Sequence, residues 1–137
     1  MSNWAKAKVT FKNMSEELLM DTLKAMGMYA DFNNKTVKGS FSFEGDRTCD
    51  CVLYRIADDF CTNIGLSFAE SKDNGVSVSV VADWFDKEYT DKTFVEEFQM
   101  EYSTAAMNKN ALENGYTIEQ AENLSNGKRR IVYVKTA

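Results

Sequence analysis

The chain contains no histidine, no proline and only three cysteines, Cys49, Cys51 and Cys61. Without histidine it lacks the side chain that titrates nearest neutral pH, which excludes the usual Ser-His and Cys-His catalytic arrangements and most zinc sites. Without proline, turns must be made by Gly, Asn and Asp, and no prolyl isomerisation can slow folding. A sparse, odd set of cysteines fits free thiols in a reducing compartment better than a disulfide framework. No apolar run approaches the roughly 18–20 residues that span a bilayer, and the opening MSNWAKAKV has no apolar signal core, so the expected location is cytoplasmic. There is no G-x-x-x-x-G-K phosphate loop and no G-x-S-x-G elbow. The net charge of -5 argues against general affinity for nucleic acid or for anionic membranes.

What is present reads as an ordinary globular protein. At 137 residues, with 44% hydrophobic and 27% charged residues, the chain suits one α+β domain over 1–137 with one core. The dominant stretch runs from Thr90 to Tyr116, where Phe94, Phe98, Tyr102, Ala105 or Ala106, and Leu112 recur at three- and four-residue steps. This is a helix capped by Thr90 or Asp91 and closed by Gly115. Burying its four large apolar side chains supplies roughly 6–12 kcal/mol of gross driving force. Glu96, Glu97, Glu101, Asn108 and Lys109 are expected to meet water.

Residues 4–12 alternate as a strand, with Ala5, Ala7, Val9 and Phe11 on one face and Lys6, Lys8, Thr10 and Lys12 on the other. Asn13 is expected to cap a helix striped by Met14, Leu18, Leu19, Leu23 and Met26, which ends at Gly27. A hairpin from Met28 to Phe43 follows, with Val37, Phe41 and Phe43 on one face, then a polar loop at 44–48. Asp50–Ile56 reads as a strand, and Ala57-Asp58-Asp59 as an acidic link. Two further hairpins turn at the Asn-Gly pairs 74–75 and 126–127. Helix, glycine, strand, turn, strand thus occurs twice. The expected architecture is a single antiparallel sheet of six to seven strands with both helices on one face, built on a pseudo-repeat or on a merely common helix–Gly–strand join.

Five stretches in this order carry a resemblance: Val80-Val81-Ala82-Asp83-Trp84, Phe94-Val95-Glu96-Glu97-Phe98, Glu101-Tyr102, Glu113-Asn114-Gly115-Tyr116, and Arg129 to Val134. Together they resemble the chloroplast hypothetical-frame-thirty-five family, small proteins of unknown function from cyanobacteria, plastids, other bacteria and phages. The resemblance implies a fold and brings no mechanism. The family commonly has a basic residue before the helix tyrosine and a histidine after it. Here Glu101 takes the first place and Ala105 and Ala106 stand near the second, so an activity resting on those residues would be missing. For a phage-encoded chain the compartment would be the host cytoplasm.

The candidate functional residues form three groups. Cys49-Asp50-Cys51 with Cys61 has C-x-C spacing and no histidine to complete a zinc set, so packed strand residues are expected, with a redox role as the alternative. Asp58-Asp59 and Asp83 with Asp86 are carboxylate pairs of the kind that can hold Mg²⁺ or exchange protons. Solvating turns are expected, with Asp83 capping or pairing near Trp84. Lys6, Lys8 and Lys12 would join Lys128, Arg129 and Arg130 in one basic patch if the first and last strands were neighbours, with Trp4 exposed beside it as a stacking surface; the alternative is that the lysines guard an edge strand against aggregation. The functional expectation is a non-catalytic module, monomer or homodimer, without cofactor or metal. It would hold a partner protein or a small anionic ligand on its sheet through Trp4, Lys6, Lys8, Asp83, Trp84, Arg129 and Arg130. The alternatives are a phage protein sequestering a host signalling nucleotide, an enzyme acting through Asp83 or Cys51, and a structural role through homo-oligomerisation at a sheet edge.

Overall fold

The computed structural model describes residues 4–12, 14–39, 45–70, 75–85, 87–125 and 127–136, with the side chains of 5–7 and 12 outside that set. In chain order the elements are β1 (Trp4–Lys12), α1 (Glu16–Ala25), β2 (Met28–Asp31), β3 (Thr36–Lys38), β4 (Asp46–Thr48), β5 (Cys51–Arg55), β6 (Cys61–Glu70), β7 (Gly75–Asp83), α2 (Asp91–Glu113), β8 (Tyr116–Asn123) and β9 (Arg129–Lys135). The class is α+β and the pairing antiparallel.

The expected single sheet is corrected to a five-stranded sheet, β1-β7-β6-β5-β2, and two separate ribbons, β3-β4 and β8-β9. Both helices lie on one face of the main sheet. Leu18, Leu19 and Leu23 of α1 and Phe94, Phe98 and Tyr102 of α2 share a core with Phe11, Leu53, Leu66, Val78 and Val80. Phe11 sits at the centre of the aromatic contacts, 4.2 Å from Tyr102 and 5.6 Å from Phe98 between ring centroids.

The pseudo-repeat does not survive this topology. β2 pairs with β5, and β3 pairs with β4, so no β2–β3 hairpin forms. After β2, Asp31 accepts from the Asn33 amide and Asn34 from the Thr36 amide, and the Asn34 amide group donates to the Tyr54 hydroxyl at 2.7 Å. These bonds carry the chain to the sheet's second face. Val37 is fully buried there with Cys49 and Val52, and burying a valine contributes ~1.5–3 kcal/mol. The contact is so close that a Cβ on Gly65 of β6 would lie 2.6 Å from both the Cys49 sulfur and a Val37 methyl. Part of the expected polar loop is strand β4, while Phe41 and Phe43 lie outside the described residues.

Two helix details also change. Asn13 lies outside the described residues, and the cap of α1 is Ser15, whose hydroxyl accepts from the Leu18 amide at 3.1 Å. In α2, Thr90 caps as expected and exchanges bonds with Thr93, and Gly115 takes a φ of +82°. Leu112, however, is 61% exposed. At ~1.5 Å per residue the 23-residue helix is roughly 35 Å long and outruns the core, whose last α2 contact is Ala106. Glu101, expected in water, is buried, because β9 brings Arg129 to it.

Candidate functional site

The structure disperses the residues singled out from sequence. The condition for a joint basic patch is not met: β1 pairs with β7, and β9 with β8 in a separate ribbon. Lys8 is exposed on β1, and the Lys6 side chain lies outside the described residues. Arg129 pairs with Glu101 and also donates to Thr104 at 3.2 Å and Asn123 at 2.9 Å. Arg130 lies 3.5 Å from Glu122. Trp4, expected to be exposed, is half-buried against the Val37 cluster, with the Arg47 guanidinium 4.8 Å above its ring.

Trp4 and Asp83 are register partners on β1 and β7. Asp83 is fully buried. Its carboxylate accepts from the Phe85 amide at 3.2 Å and its carbonyl accepts from the Lys87 ammonium, so it organises the turn leaving β7. Trp84 is 5% exposed and lies 5.9 Å from Phe94. The indole N–H groups of Trp4 and Trp84 have no acceptor among the described residues.

Cys49 and Cys51 are buried. Desolvation, reinforced by Cys49, pushes the Cys51 thiol up to about 12. Desolvation also raises Cys49, with Asp50 adding to it. Both therefore hold their protons at neutral pH, which suits the packed role, since the thiolate is the reactive form. Among the described residues no three of His, Cys, Asp and Glu stand close enough to hold a metal.

A wide concavity lies elsewhere, at one end of the main sheet. A cleft of about 990 Å³ opens where the end of α1, the start of β2, the β5–β6 turn and the β7–α2 link converge. Gly27, at φ +74°, ends α1 and delivers Met28 to the floor beside Ile64 and Met26. The walls are Ile56, Phe60 and Phe85, which are 48%, 58% and 37% exposed. Three apolar side chains left open around one cavity are the kind of patch that marks a binding surface. Lys24, Arg55, Lys87 and Glu88 supply the charge.

The β5–β6 turn that presents Phe60 is tightly tied. Arg55 and Phe60 share a backbone bond of 2.9 Å. The Arg55 guanidinium forks onto Asp58 at 2.8 and 2.6 Å and lies 4.9 Å over the Phe60 ring. Arg55 holds the Asp58 carboxyl below the usual range, mainly through that bond. Asp59 and Asn63 have φ of 56° and 53°, conformations that cost a non-glycine residue of order 1–3 kcal/mol. Tyr29 donates to Asp59 at 2.8 Å and thereby holds it in place. Asp58-Asp59 thus form a buttressed turn, in line with the turn reading of the sequence.

Sequence reasoning missed this cleft. Its signal was Phe60, a large apolar residue between the acidic link and the next strand that belonged to no element whose period would bury it. Comparison of the chain with protein-family models, with curated proteins and with solved structures returned no match.

Proposed function

We propose that the protein is a non-catalytic binding module and that its site is the end cleft, not the open sheet face. The ligand has an apolar body and a single anionic group. The observation that supports this most is the trio Ile56, Phe60 and Phe85, exposed around a hollow of about 990 Å³. A body seated there removes apolar area from water at about 25 cal/mol per Å².

The charge inventory supports one anionic group over several. Arg55 is committed to Asp58, and Lys87 donates to the Asp83 carbonyl. Lys24, exposed in the last turn of α1, is the cation best placed for an incoming anion, and Glu88 opposes a second. A nucleotide polyphosphate asks for several cations in fork-shaped contact. The enzyme reading has less support, since Cys51 is buried and protonated and Asp83 bonds within its own turn.

Calorimetric titration with decanoate, decanol and ATP tests the reading. Decanoate is expected to bind saturably, decanol more weakly and ATP weakest. Phe60→Ala should abolish decanoate binding, and Lys24→Ala should weaken it several-fold while leaving decanol unchanged. ATP binding tighter than decanoate, or decanoate indifferent to Phe60→Ala, would overturn the assignment.

A further inference from the structure

The main sheet has two edge strands, β1 and β2, and they are built differently. β1 carries Lys6, Lys8 and Lys12 at register positions of one parity, with Thr10 between the last two. Lysines so placed repel a second copy of the same edge. β2 carries no lysine, and its register with β5 runs without a bulge from Met28↔Arg55 to Asp31↔Val52. Paired groups in an antiparallel ladder alternate, which fixes the backbone atoms that face outward. The Ile56 amide donates to the Gly27 carbonyl, so Gly27 faces β5. Tyr29 and Asp31 follow in phase and face β5 as well. Met28 and Ala30 therefore turn their amide and carbonyl groups to the open side, where no described strand lies, and the amide of Phe32, which opens the turn after β2, points the same way.

The geometry points to a homodimer formed by antiparallel pairing of β2 with β2 of a second copy, centred on Ala30. That register uses the three outward-facing residues and no others. It sets Ala30 against Ala30, Met28 against Phe32 and Tyr29 against Asp31. No like charges meet, and the residue at the two-fold axis is small. The same operation on β1 sets a lysine position opposite a lysine position in any register centred on residues 6 to 10. A two-fold interface must complement itself, and β2 does.

The pairing also explains an exposed aromatic. Phe32 is 47% exposed and half-covered by Phe68, whose ring centroid is 6.4 Å away. In the dimer, Phe32 of the second copy lies against Met28, which forms part of the floor of the end cleft. Each copy then contributes an aromatic side chain to the other's cleft, and the two main sheets become one. This inference stands on the β2 edge alone and does not depend on what the cleft binds.

Sedimentation equilibrium of the full chain, with hydrogen exchange, tests it. The mass is expected to rise toward a dimer with concentration, and the Met28 and Ala30 amides should gain protection in parallel, while the Tyr29 and Asp31 amides are protected throughout. Ala30→Pro removes an outward amide, a change an edge strand tolerates, and should weaken association at least tenfold with an unchanged circular dichroism spectrum. Phe32→Asp, at an exposed position, should do the same and guards against a folding defect in the first variant. A monomer at every concentration up to about 1 mM, or a dimer untouched by both variants, overturns the proposal. So does protection at Met28 and Ala30 that appears only when a foreign protein is added.

Discussion

The Glu101–Arg129 pair offers the sharpest test of how the C-terminal ribbon is held. None of its described residues joins the buried core. It docks on α2 through Arg129 to Glu101 and Thr104, and through the Tyr133 hydroxyl to Asn108 at 2.6 Å. The Glu101 side chain is 8% exposed and that of Arg129 19%, so both are largely out of water. Arg129→Met leaves the glutamate buried without its cation. Breaking a buried pair in this way costs ~3–5 kcal/mol. The low end, about 3 kcal/mol, applies here, because the ribbon can lift and let water reach Glu101. Glu101→Leu should cost less, about 1–2 kcal/mol, since Arg129 keeps Thr104 and Asn123 as acceptors. The double variant Glu101→Leu/Arg129→Met removes both charges and should be more stable than Arg129→Met alone, with a coupling of roughly 2 kcal/mol. Urea unfolding followed by tryptophan fluorescence measures all four proteins. Strictly additive single effects, or an Arg129→Met loss below about 0.5 kcal/mol as for an exposed ion pair, would refute the reasoning.

Three further outcomes follow from the same structure. Gly65→Ala drives a methyl to within 2.6 Å of Val37 and Cys49, and should lower stability by at least ~1–3 kcal/mol in denaturant unfolding. Phe98→Ala empties a fully buried position and should cost ~3–5 kcal/mol, whereas Leu112→Ser, at a 61% exposed one, should stay within ~0.5 kcal/mol. Burial raises the folded pKa of Cys51 from 9.0, and of Tyr89 from 10.0, each to about 12. The unfolded chain releases these protons first, so their contribution is whole below about pH 9 and falls as pH rises toward 12. Urea midpoints across that range should fall, and Cys51→Ala should flatten the decline.

The order and type of most elements were legible because they rest on local physics. Alternation in Trp4–Lys12, the apolar stripes of both helices, the Thr90 cap and the glycines at 27 and 115 each report on residues a few positions away. A period says which side chains share a face, and it held for Phe94, Phe98 and Tyr102. It does not say whether something lies beneath that face, so Leu112 fits the stripe and is exposed while Glu101 breaks it and is buried. The choice of strand partners was equally out of local reach. β3 leaves β2 because Val37 finds Cys49 and Val52 across the sheet, and the terminal ribbon stays off the sheet and leans on α2 through Arg129. The cleft exists only where the ends of separate elements converge, so Phe60 reads as a loop residue in the chain and as a wall in the fold. Sequence settled what most segments are, through contacts one or two turns away. Tertiary structure settled what each segment touches, because burial and charge pairing depend on residues brought together from distant parts of the chain.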